Sequence, residues 1–156
     1  MRCGAVCSNH RFPMHPAAEE IIITRSAQET REWAERFAHS LNPGAVIALV
    51  GELGAGKTVI AKGIGNGLRV TDEVISPTFN YILEYEGRLP LFHADLYRIE
   101  DVRTFQAMGL DEYFDRGGVF VIEWAERVRG IMPPDSIWIT VEPNGDERHI
   151  QVRYGT

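Results

Sequence analysis

Ala45-Val46-Ile47-Ala48-Leu49-Val50 runs directly into Gly51-Glu52-Leu53-Gly54-Ala55-Gly56-Lys57-Thr58, and this stretch decides the fold. The apolar run has the length and composition of a strand buried on both faces. The eight residues after it fit G-x-x-x-x-G-K-[ST], the phosphate-binding P-loop. Val59 to Leu68 is compatible with a helix, so strand, loop and helix come in the order the motif requires. Glycines let backbone N–H groups converge on a phosphate, and a helix N-terminus adds unpaired donors and partial positive charge. On this basis Glu52, Leu53, Gly54, Ala55, Gly56, Lys57 and Thr58 are expected to cradle the phosphates of a nucleotide. Lys57 would reach the β- and γ-phosphates, and the Thr58 hydroxyl would hold Mg²⁺.

Working outward, 156 residues make one domain with a sizeable core. A net charge of −6 argues against broad, nonspecific binding to DNA or RNA. No stretch is apolar enough to span a membrane or long enough to serve as a signal peptide, so a cytoplasmic location is expected. Residues 1–18 read as a disordered tail, with residues 19–156 as the ordered domain. Both cysteines, Cys3 and Cys7, fall in that tail, and with His10 and His15 they match no zinc spacing.

Glu20 to Thr24 reads as a short strand. Ser26 caps a helix, with Glu29 three residues on to complete a capping box. Trp33, Ala34, Phe37, Ala38 and Leu41 share one face of that helix. Gly65 and Gly67 are expected to loosen the end of the P-loop helix. Phe79 to Tyr85 and Leu89 to Ala94 form a hairpin around Glu86-Gly87-Arg88. Val102 to Phe114 is helical with an interruption near Gly109. Val119-Phe120-Val121-Ile122 is the second fully apolar run and the expected sheet partner of the P-loop strand. Ile137 to Val141 and His149 to Tyr154 alternate as strands joined through Asn144-Gly145. The expected fold is α/β: a P-loop NTPase-like three-layer sandwich whose mixed sheet has a parallel centre and antiparallel strands at one end.

Hydrolysing a bound triphosphate also takes acidic residues near Mg²⁺ and water. Ligands of open α/β sheets gather at the carboxyl ends of the strands, where Asp95 and Glu123 stand. Glu123 takes the place of the usual Walker B aspartate, although it also fits a solvated acid at a strand end. Asp95 fits equally a helix-cap or turn acid. In Ser76-Pro77-Thr78, Thr78 reads either as a sensor of the γ-phosphate or as part of a proline turn. His93 reads as a core histidine and Trp124 as a packing residue. No Asn-Lys-x-Asp follows the P-loop, so guanine recognition of the usual GTPase kind lacks support and adenine is inferred.

Gly51 to Thr58, Ser76-Pro77-Thr78-Phe79, His93-Ala94-Asp95-Leu96-Tyr97-Arg98 and Ile122-Glu123-Trp124 occur in the order and spacing of the TsaE family, also called YjeE. The resemblance spans Ile21 to about Arg129, and its H-x-D-L-Y-R and I-E-W segments are more specific than the P-loop. It implies a Mg²⁺-dependent ATPase rather than a kinase. It implies work with TsaB and TsaD, which place threonylcarbamoyl on the adenosine next to the anticodon in tRNAs reading codons that start with A. Contact with tRNA would then be indirect. By position, Lys57 and Thr58 bind phosphate and Mg²⁺, Glu123 is the Mg²⁺-side acid, and Asp95 is required for hydrolysis. Thr78 belongs to a switch-like loop. Ser26 to Thr30 resembles a segment near the adenine, which places Thr30 at the nucleotide. Val59 departs from the second threonine common after the P-loop. The competing functions are a small-molecule kinase and an ATP-gated adaptor with incidental hydrolysis.

Overall fold

The computed structural model describes residues 18–155. The expected tail, with its cysteines and histidines, lies outside the described residues except for Ala18. In chain order the elements are β1 (Glu19–Thr24), α1 (Ala27–Ala38), β2 (Val46–Val50), α2 (Lys57–Gly67), β3 (Ile82–Tyr85), β4 (Leu91–Asp95), α3 (Val102–Ala107), β5 (Val119–Glu123), β6 (Ile137–Asn144) and β7 (Glu147–Tyr154). Tight 3-10 segments occupy Leu110–Asp115 and Ala125–Ile131.

The strands form one sheet in the order β1-β7-β6-β2-β5-β4-β3. The two apolar runs are neighbours as expected: β2 lies between β5 and β6 and is parallel to both, and β4 is parallel to β5. The antiparallel end is β6-β7-β1, and the β3–β4 hairpin, also read from the sequence, makes a second antiparallel end. Alternation along β2 sends Ile47 and Leu49 into the core beneath α1 and α2. Val46 and Ala48 point into a second core with Phe105, Leu110 and Phe120. The sheet is thus covered on both faces, which is why its central strands are apolar throughout.

Ser26 caps α1 by accepting from the Glu29 amide, and the Glu29 carboxylate reaches back to the Arg25 amide at 2.7 Å. The glycines of α2 do not act as the sequence suggested. A Cβ on Gly63 would lie 2.6 Å from Ala34 Cβ, and one on Gly67 would lie 2.5 Å from Ala38 Cβ. These glycines therefore bring α2 against α1 instead of loosening it, while Gly65 packs on Val74. The first strand of the hairpin is shorter than expected. β3 starts only at Ile82, because Tyr81 takes a left-handed φ of 62° and ends a turn opened at Pro77. The helical stretch from Val102 is interrupted where expected: α3 ends before Gly109, which turns left-handed at φ 73°, and the 3-10 segment Leu110–Asp115 follows.

Candidate functional site

A cavity of about 340 Å³ opens at the carboxyl ends of β2, β4 and β5. Leu53, Gly54, Gly56, Lys57, Thr58 and Val59 of the glycine loop and α2 line it, together with Ser76, Thr78, Asp95, Tyr97, Glu123 and Trp124. The glycine loop, both strand-end acids and Thr78 are therefore brought together across 70 residues of sequence. Glu52 and Ala55 belong to the loop but do not line the cavity. Thr30 does not reach it either: its buried hydroxyl is 2.6 Å from that of Thr24 and bonds the Ser26 carbonyl.

The loop's shape depends on its glycines. Gly54 and Gly56 have φ of 78° and 114°, a region costly for residues with a Cβ. A Cβ on Gly51 would meet the Val141 carbonyl oxygen at 2.7 Å. Gly56 opens α2 with no side-chain cap, so the first amides of the helix face the cavity side free to bind an anion. Arg148 of β7 pins the loop from outside, its Nε donating to the Ala55 carbonyl at 3.1 Å.

Lys57 is buried. Its ammonium donates to the Gly51 and Glu52 carbonyls at 2.5 and 2.8 Å and stands 4.3 Å from the centre of the Trp124 ring. Burial lowers its pKa from the ordinary lysine value, and Glu123, Glu126, Asp95 and Glu52 oppose that shift. Trp124, expected to be a packing residue, is thus part of the site. It adopts a left-handed φ of 61° directly after Glu123. Arg127 stacks 5.0 Å from the same ring while bonding the Leu96, Tyr97 and Ile99 carbonyls, which ties the chain after Asp95 to the chain after Glu123.

Adjacent strands set the acids side by side, because Asp95 and Glu123 are register partners on β4 and β5. Thr58 Oγ1 donates to Glu123 Oε1 at 2.9 Å, and His93 Nε2 lies 2.9 Å from Glu123 Oε2. Asp95 accepts from the Tyr97 amide at 2.9 Å and, at a longer 3.4 Å, from Ser76. The Ser76 and Thr78 hydroxyls are 2.7 Å apart. Burial raises the Asp95 pKa above the usual carboxylate value. Glu123 adds to the rise, while the Tyr97 amide, His93 and Ser76 hold it back. The hydroxyl of Thr58 and the carboxylate of Glu123 are hard oxygen donors, and Mg²⁺ in phosphate sites takes one or two carboxylates plus phosphate oxygens. The Thr58 hydrogen points to Glu123, which leaves the hydroxyl lone pairs for a cation, so the residues present fit Mg²⁺. Tyr97 and Trp124 are the lining residues that sequence reasoning missed. The aromatic residue close behind each strand-end acid was the available signal: Trp124 directly after Glu123, and Tyr97 two positions after Asp95.

A glycine loop joining a central strand to an uncapped helix, facing acids on the neighbouring strands, defines the P-loop NTPase-like class of α/β proteins. The sequence profile of the family described as "Threonylcarbamoyl adenosine biosynthesis protein TsaE" matches residues 24–150, and the chain belongs to that family. It is 43% identical to the tRNA threonylcarbamoyladenosine biosynthesis protein TsaE of Bacillus subtilis over 80% of this chain and 78% of that one. The TsaE of Treponema pallidum is 40% identical over 80% of this chain and 92% of its own. A crystal structure of Bacillus subtilis YdiB superposes with a TM-score of 0.78 at 36% identity, covering 91% of this chain and 89% of that one.

Proposed function

We propose that this chain is a Mg²⁺-dependent ATPase that supports a TsaB–TsaD pair in forming threonylcarbamoyladenosine next to the anticodon of tRNA, in the cytoplasm. The observation that carries the catalytic part is the meeting of Lys57 and Thr58 with Asp95 and Glu123 in one cavity. Family membership carries the pathway.

Loop amides and the start of α2 bind the triphosphate. Lys57 leaves the Gly51 and Glu52 carbonyls for phosphate oxygens, which regain the charge that burial disfavours. Thr58 and Glu123 would hold Mg²⁺, which when bound supplies positive charge against the triphosphate. Asp95, beside Glu123 on the adjacent strand, accepts a hydrogen bond from the attacking water and orients it. Positioning and fixed positive charge, rather than covalent catalysis, lower the barrier.

The test follows the γ-phosphate of labelled ATP in the presence of TsaB and TsaD. Free phosphate is expected with the wild type and none with Lys57→Ala. Label transferred to a metabolite would instead identify a kinase. In cells, depletion should remove threonylcarbamoyladenosine from tRNA, and Lys57→Ala should fail to restore it.

A further inference from the structure

His93 takes no part in the mechanism above, yet it is fully buried and its Nε2 lies 2.9 Å from Glu123 Oε2. Its other ring nitrogen, Nδ1, is buried with no hydrogen-bond partner. An apolar side chain could occupy the same place without stranding a polar atom, so packing alone does not account for a histidine here. His93 does not line the cavity, which removes it from proton transfer with substrate.

We infer that His93 is a positioning residue: its Nε2–H fixes the Glu123 carboxylate so that Oε1 faces Thr58, and this sets how tightly the site takes Mg²⁺. The donor set dictates the tautomer. An ionised carboxylate only accepts hydrogen bonds, and Thr58 already donates to Oε1. The contact at Oε2 therefore needs the ring hydrogen on Nε2. Glu123 is then gripped at both oxygens, from β4 by His93 and from the start of α2 by Thr58. Without His93 the carboxylate could swing about its last torsion, and Oε1 would lose its fixed aim. The inference rests on the Mg²⁺–nucleotide reading of the site.

Two measurements test it. The first is a long-range ¹H–¹⁵N correlation of the histidine rings in the nucleotide-free full chain, with the His93 signals assigned by their loss in His93→Gln. A ring with a hydrogen on Nε2 is expected; a ring whose sole hydrogen is on Nδ1 overturns the inference. The second is binding of a fluorescent ADP analogue with Mg²⁺ and with EDTA. In His93→Leu the Mg²⁺ concentration for half-maximal effect should rise about tenfold, the usual loss when the partner of a metal-binding group is removed. Affinity in EDTA should be unchanged. His93→Gln, whose amide can donate to the same carboxylate, should recover most of the loss. A folded His93→Leu with wild-type Mg²⁺ dependence, or with equal losses in Mg²⁺ and EDTA, overturns the role of His93 alone. A wild-type protein that binds no analogue in either condition overturns the nucleotide reading and this role with it.

Discussion

The Lys57 ammonium stands 4.3 Å from the centre of the Trp124 indole, held there by bonds to its own loop's carbonyls. A cation against an indole face interacts with the ring's electrons. Phosphate binding must draw Lys57 away from that face. Tryptophan emission is therefore expected to change when Mg²⁺ and ATP are added. Trp124→Phe should abolish the change although Trp33 and Trp138 remain. Trp33 stacks on Phe37 in α1, Trp138 carries Arg129, and neither lines the cavity. A signal that persists in Trp124→Phe would show that Lys57 does not move as described.

Glu123→Gln preserves shape but replaces one acceptor oxygen with a donor nitrogen. That nitrogen must face either the Thr58 hydroxyl or His93 Nε2, both within 2.9 Å. Mg²⁺-dependent nucleotide binding is expected to weaken at least tenfold, as for other disrupted metal-binding groups. Binding in EDTA should change much less. Thr58→Ser keeps the hydroxyl and should keep the Mg²⁺ dependence; Thr58→Val should lose it. Calorimetric titration with and without Mg²⁺ reads all three variants.

Asp95 links activity to stability through its raised pKa. A carboxyl whose pKa is higher folded than unfolded favours folding below the unfolded pKa, and that contribution is lost as pH rises through the folded value. Ionised Asp95 therefore costs stability at neutral pH, while its ionised form is the one that accepts from water. Asp95→Asn should bind nucleotide, lose turnover and be more stable than wild type by about 1 kcal/mol near neutral pH. The gap should shrink on acidification. Turnover of the wild type should fall on the acid side at a pH above the ordinary carboxylate range. Thermal melts across pH, beside a pH–rate profile, check both halves.

The parts of this site legible in the sequence are those carried by local order. The apolar run Ala45–Val50 with its glycine loop announces β2 and α2. Asp95 and Glu123 are marked by their place after apolar runs. The capping box at Ser26 and the turn at Asn144-Gly145 are likewise local signals. What stayed hidden depends on residues far apart in sequence. The bond between Thr58 and Glu123 spans 65 positions, that between His93 and Glu123 spans 30, and Arg148 reaches Ala55 across 93. The pairing of β1 with β7 joins the two ends of the described chain, and no short pattern encodes it. The roles of Gly63 and Gly67 were hidden for the same reason, since they lie in Ala34 and Ala38 of another helix; Gly67 was expected to loosen α2, and nothing was expected of Gly63.

That helix contact gives the last prediction. Gly63→Ala gains about 1 kcal/mol of helix propensity. Its new methyl, however, would lie 2.6 Å from Ala34 Cβ and still closer to the Arg31 carbonyl oxygen, which is backbone and cannot rotate away. Overpacking of this kind costs about 1–3 kcal/mol, and a rigid backbone partner puts it at the upper end. The net change should be destabilising. Gly130→Ala is the control, because nothing lies within 4 Å of its Cβ position and its φ is not left-handed. That change should stay within about 0.5 kcal/mol of wild type. Since α2 begins with Lys57 and Thr58, any shift that relieves the clash at Gly63 moves the phosphate-facing end of the helix as well. Gly63→Ala should therefore lose nucleotide affinity along with stability, and Gly130→Ala neither. Urea unfolding beside nucleotide titration distinguishes this coupling from a purely local packing defect, which would lower stability and leave affinity intact.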